Sequence, residues 1–166
     1  MDTMDNTISS RDVCWFFLQA KLSPFMLGTD RYQIVYEGDN YIVDTEFLPE
    51  IFIEKKVPLY FFEYKREDRI LSRAMDLTNI RRTPVVVFRG LSSDTVTFRC
   101  YLNPGSAEAL PESFENGTLE IGRAIGAFGR ACDTAIKEDG LDKATIIRSY
   151  LANNPVILNE QENAET

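Results

Sequence analysis

The chain predicts an α+β domain, an antiparallel sheet of about five strands with N-terminal, middle and C-terminal helices packed on it. Three observations predict this class. Apolar spacing changes from helical to alternating and back along the sequence. The strand-like runs come in pairs joined by short polar turns, which makes neighbours antiparallel. A content of 44% hydrophobic and 27% charged residues over 166 positions is that of one globular domain with a full-sized core. The expected boundaries are a disordered start at 1–8, one domain at 9–152 and a polar tail at 153–166.

Ser9, three residues before Asp12, is a capping signal for a first helix. Val13, Phe17 and Ala20 form its apolar face beside Cys14 and Leu18, and Ser23-Pro24 is expected to end it. Tyr32–Tyr36 and Tyr41–Glu46 then alternate around Glu37-Gly38-Asp39-Asn40, read as a hairpin with a four-residue turn. Phe47–Lys56 is ambiguous, because Pro49 holds it near an edge. Leu59–Lys65, aromatic on both faces, reads as a further strand. Glu67–Arg82 returns to helical spacing, with Ile70, Ala74 and Leu77 on one stripe and acids ahead of bases, as the helix dipole favours. Val85–Arg89 and Thr95–Leu102 form a second hairpin. Val96, Phe98, Cys100 and Leu102 face a core there, and Thr95, Thr97, Arg99 and Tyr101 face the other way. A long helix is expected from Asn116 or Thr118 to Asp139, stopped by Gly140, with a short last helix over Asp142–Ala152.

Composition excludes much chemistry. The chain has no histidine, so Ser-His and Cys-His pairs and imidazole zinc sites are absent. No phosphate-binding loop, nucleophile elbow or metalloprotease signature occurs. Cys14, Cys100 and Cys132 lie far apart and read as reduced thiols. No apolar run approaches the roughly 18 residues of a membrane helix. Met1–Ser10 carries two aspartates and no cation, unlike a secretory leader, so a cytoplasmic location is expected. No cofactor, no metal and no membrane partner are expected.

The net charge of −8 is unevenly spread: −7 over residues 1–54, +5 over 55–100 and −6 over 101–166. The basic middle is expected to face the acidic ends within one fold. An anion-binding or nucleic-acid surface through 55–100 is the alternative, disfavoured by overall acidity. Asp44, Glu46, Glu50 and Glu54 could serve acid–base chemistry, but read better as solvated surface. A small enzyme using carboxylate or tyrosine chemistry in a cleft therefore stays open as a second alternative. Gly122, Gly126 and Gly129 each cost about 1 kcal/mol against alanine inside a helix. Their spacing strips one flank of side chains, and close packing is expected there, within the domain or across a dimer.

Ala74-Met75-Asp76-Leu77-Thr78-Asn79, Val85–Gly90, Thr95–Leu102 and the Leu119–Ile136 helix carry an element order that resembles the YbjN family, whose fold is like that of type III secretion chaperones. The likeness spans roughly residues 10–136 and rests on element order and hydrophobic pattern. The long, proline-interrupted Phe47–Val57 and the added Asp142–Ala152 helix depart from it. The resemblance implies a non-enzymatic, homodimeric module that binds another protein or influences regulation. It assigns Ile70, Ala74 and Leu77 to a dimer surface and Val13, Phe17 and Phe52 to a client surface, although each also has a plain core explanation.

Overall fold

A computed structural model describes residues 7–62, 67–81, 83–90 and 94–153. Its centre is a six-stranded antiparallel sheet in the order β1-β2-β3-β4-β6-β5, with β1 Phe25–Met26, β2 Arg31–Tyr36, β3 Asp39–Asp44, β4 Ile51–Pro58, β5 Val85–Phe88 and β6 Thr95–Leu102. Three helices, α1 Ser10–Gln19, α2 Asp68–Asn79 and α3 Leu110–Asn153, lie on one face. Side chains alternate along each strand. One set, with Ile34, Val43, Ile53, Val87, Val96 and Phe98, meets the helices and forms the core.

The capping box forms as expected: Ser9 Oγ accepts from the Asp12 N–H, and Asp12 Oδ2 accepts from the Ser9 N–H at 2.8 Å. The Ser9 hydroxyl also donates to Asp12 Oδ2, at 2.6 Å, and this bond and that from the Ser9 N–H hold the Asp12 carboxyl below its ordinary range. α1 stops before Pro24. Lys21 turns left-handed at φ 56°, and its N–H and that of Leu22 reach back to the Leu18 and Phe17 carbonyls, a Schellman end sealed by buried Leu22. The first hairpin turn is shorter than expected. Tyr36 pairs with Asp39 across Glu37 and Gly38, both at positive φ, which matches the strand twist. Ile8 is buried, so the ordered domain begins inside the stretch expected to be disordered.

Further expectations are corrected. The ambiguous segment supplies β4, a central strand between β3 and β6, because Pro49 lies ahead of the ladder rather than in it. Leu59–Phe62 is a turn of 3₁₀ helix, not a strand. Its neighbour β6 begins at Thr95, opposite Pro58, so no described strand lies beyond Leu59 for it to pair with; residues 63–65 of that expected strand lie outside the described residues. Gly140 does not stop α3, which runs unbroken for 44 residues. A glycine inside a helix is a modest penalty, and Asp139 bridges the region by pairing with Arg69 of α2 and Lys143 of α3. The expected tail from 154 onward lies outside the described residues.

Gly117 is the glycine that the packing requires. A Cβ there would lie 2.5 Å from Leu102 Cδ2 and 2.8 Å from Ile53 Cδ1, where α3 crosses β4 and β6. At Gly122 a Cβ would meet nothing within 4 Å. Gly117→Ala should therefore lower stability by about 1–2 kcal/mol through overpacking, whereas Gly122→Ala should raise it by up to about 1 kcal/mol. Urea melts of the two variants check this, and equal effects would refute the contrast.

The outer edge of β5 is closed by side chains. Asn79, the last residue of α2, accepts from the Val87 N–H at 2.9 Å and donates to the Val87 carbonyl at 2.9 Å. Thr83 Oγ1 does the same for Val85, at 3.4 and 3.2 Å. The amide of Asn79 thus stands where a neighbouring strand would bond. Asn79→Ala leaves both Val87 groups without that partner. The expected loss is about 1–3 kcal/mol, together with concentration-dependent association visible by light scattering. A variant with wild-type stability and scattering would show that the edge needs no such cover.

Candidate functional site

The second face of the sheet is covered by no described element. Strand parity sends Arg31, Gln33 and Val35 of β2, Asn40, Ile42 and Asp44 of β3, and Phe52, Glu54 and Lys56 of β4 to this side. β6 contributes Thr97, Arg99 and Tyr101, and β5 contributes Val86 and Phe88. Polar residues at those positions are what a water-facing sheet side calls for. Aromatic residues there are not.

The register places these side chains in cross-strand rows. Glu54 stands directly opposite Arg99, and its carboxylate accepts from Arg99 Nε at 2.6 Å and also pairs with Arg99 Nη2. Arg31 reaches the same carboxylate at 3.9 Å and pairs with Asp44 at 3.5 Å. Glu54 is only 5% exposed, on the open side of the sheet. The expectation of a solvated Glu54 is corrected: long neighbours roof it over. Burial works against the charge of Arg99, but the hydrogen bond and attraction of Glu54 outweigh it and hold the guanidinium above its ordinary value. The same guanidinium lies 4.9 Å from the centre of the Phe88 ring and 5.8 Å from that of Phe52. Phe52 meets Tyr101 edge-on at 4.7 Å, and Phe47 joins at 6.0 Å. The result is a charge-balanced centre ringed by half-exposed aromatic and aliphatic side chains, including Ile42, Val86 and Tyr101.

Of the residues assigned to a dimer or client surface, Phe52 alone sits on this face, beside Asp44 and Glu54 from the weighed carboxylates. Val13 and Phe17 are 1% exposed and pack into the core, Phe17 edge-on against Tyr32. Their assignment to a client surface is corrected; the exposed apolar residues of α1 are Trp15 and Leu18. Ile70 and Ala74 are buried and Leu77 packs against the core, since α2 is held between α3 and β5. Their stripe is spent within one chain, which corrects the assigned dimer surface. The close approach expected along Gly122, Gly126 and Gly129 is also corrected within the chain. Gly122 faces open space, Gly126 meets only the tip of Arg130, and Gly129 is in ordinary contact with Phe62. What the sequence reading missed was Phe88 and the pairing of Glu54 with Arg99, although the clean alternation of β6 had already set Arg99 and Tyr101 on one side. Their partner strand β4 had to be placed before that pairing could be read.

Among the described residues of the basic middle, most cations are spent on acids. Lys55 pairs with Asp39 at 2.6 Å, Arg69 with Asp139 at 2.7 Å, Arg73 with Glu138 at 2.9 Å and Arg89 with Asp68 at 2.7 Å. The hydrogen bond from Arg73 lowers the Glu138 pKa. Among the described residues no group of three or more Cys, Asp and Glu is gathered to hold a metal ion. Burial pushes the Cys100 and Cys132 thiols up to about 11, far from a reactive thiolate at neutral pH. Burial takes the Tyr41 phenol to about 12. The hydrogen bond with Cys14 and burial do the same for Tyr32. No described helix is long and apolar enough to cross a membrane. No protein-family model, curated protein or solved structure matches this chain.

Proposed function

We propose that this chain is a non-enzymatic protein-interaction module that works through the open face of its sheet, and that it does so as a homodimer. The observation that carries the reading is that face itself: Phe47, Phe52, Phe88 and Tyr101 around ion pairs already closed within the chain. Half-exposed aromatic side chains are the residues from which interface anchors are built. A two-fold interface sets one patch against its own copy. A chain of net charge −8 repels its copy overall, but Arg31 and Arg99 balance Asp44 and Glu54 in this patch, so contact there brings no excess charge together. The edges favour face over edge docking: β5 is closed by Asn79 and Thr83, and β1 is two residues long. The element order that resembles the YbjN family and the type III secretion chaperones supports the same class of function.

Light scattering tests this directly. Wild-type protein should run at twice the mass of one chain. Tyr101→Arg, which places an unmatched cation in the patch, should run at the mass of one chain with its melting transition retained. A wild-type monomer, or a variant that stays dimeric, would overturn the reading.

A further inference from the structure

Two adjoining hollows lie on the opposite side of the sheet, where α3 diverges from β3 and β4, and both have Lys55 and Asp39 in their walls. The larger, about 590 Å³, has Gly122 and Gly126 in its floor and Arg123, Arg130 and Tyr41 around them. The smaller, about 280 Å³, is apolar on one side, with Val57, Pro58, Phe61 and Ile125, and carries Lys56 at its rim. Together their linings hold four cations, Lys55, Lys56, Arg123 and Arg130, against the acids Glu37 and Asp39. In so acidic a chain this is a local reversal of sign. Lys55 is matched with Asp39, and Arg123 with Glu120 just outside the lining. Arg130 and Lys56 have no acidic partner among the described residues.

Three features meet here that the fold itself does not use. Gly122 and Gly126 leave this flank of the helix without side chains, and among the described residues only the tip of Arg130 comes near it, at Gly126. Phe61 is 63% exposed at the apolar end. Arg130 stands one helical turn from Gly126, with its guanidinium 3.5 Å from where a Cβ would be. A bare helix flank admits a flat group or a phosphate closely, an aromatic ring offers a stacking surface, and a guanidinium suits phosphate oxygens. The combined size is that of a small-ligand site. The geometry points to a binding site for a planar ring carrying a phosphate, the chemistry of a nucleoside monophosphate. Its ring lies against Phe61 and its phosphate lies between Arg130 and Arg123. Lys56 at the rim also belongs, by strand parity, to the open sheet face, but the site does not depend on the function proposed for that face.

Adenosine monophosphate, adenosine and inorganic phosphate, each titrated into the full chain and followed by amide NMR shifts, test the site. The monophosphate is expected to shift the Gly122 and Gly126 amides and to bind more tightly than either half alone. Loss of one charge-assisted contact in Arg130→Gln should weaken it about ten-fold. Phe61→Ala should weaken it by about five-fold or more, the scale of a lost stacking contact. Both positions are exposed, so melting should be unchanged and the loss belongs to the site. Absence of shifts, phosphate alone binding as tightly, or full affinity in both variants would overturn the proposal. A short single-stranded oligonucleotide binding more tightly than the monophosphate would overturn it in favour of a nucleic-acid surface.

Discussion

Phe128→Ala is expected to remove about 3–5 kcal/mol of stability, the range for truncating a fully buried phenylalanine. Phe128 is 0% exposed. It lies between the sheet and the 3₁₀ turn, edge-on to Phe62 at 4.9 Å and to Phe98 at 5.8 Å. Removing the ring leaves a cavity that the sheet cannot close by sliding, because Phe98 is fixed by pairing on both sides, to β4 and to β5. A loss of this size is a large part of the 5–15 kcal/mol typical of a domain. Denaturant unfolding measures it, and Phe61→Ala one residue from Phe62 serves as control. Phe61 is mostly exposed, so its truncation should cost little. A loss at Phe128 below about 1.5 kcal/mol would mean the cluster rearranges to fill the gap.

The second large effect is at Glu54. Glu54→Ala deletes the carboxylate that neutralises Arg99 and leaves a guanidinium partly enclosed by Phe52 and Phe88. Breaking a buried pair from one side costs about 3–5 kcal/mol. The side chain of Arg99 keeps 36% of its exposure, so solvent recovers part of that, and about 2–3 kcal/mol is expected. The double variant Glu54→Met with Arg99→Leu should recover most of the loss, since an apolar pair of similar volume replaces a buried ion pair at little net change. Unfolding of Glu54→Met, Arg99→Leu and the double variant closes a cycle that gives the coupling energy. A double variant no more stable than Glu54→Ala would show that the attraction, not the desolvated remainder, was what mattered.

The parts of this fold legible in the sequence are those governed by local rules. The Ser9 and Asp12 cap, the inward row of β6 and the α2 stripe each follow from a few neighbouring residues. The parts that were not legible depend on who the neighbour is. Leu59–Phe62 has strand-like composition, yet no described strand runs beside it, because β6, more than thirty residues later, begins opposite Pro58. Gly140 carries the local signal of a helix stop, and Asp139 bridges it by pairing with Arg69 of α2 and with Lys143 one turn on. The open face was half legible. Arg99 and Tyr101 were placed on the polar side, but Phe52 and Glu54 join them only once β4 is known to lie between β3 and β6. For the apolar residues of α1 and α2 the plain core explanation holds and the surface roles implied by the resemblance do not, two readings the sequence leaves open because a stripe that faces a core and a stripe that faces a partner have the same period.

α3 has a consequence for how the molecule breathes. At about 1.5 Å per residue its 44 residues make a rod of roughly 66 Å. Ile121, Phe128 and Cys132 anchor its first half, while Ile146 and Ile147 near its far end stand in solvent. Amide hydrogens along this one continuous helix should therefore trade with deuterium at very different speeds. Those near Phe128 would wait for the whole domain to open, and those past Lys143 would be released by local fraying alone.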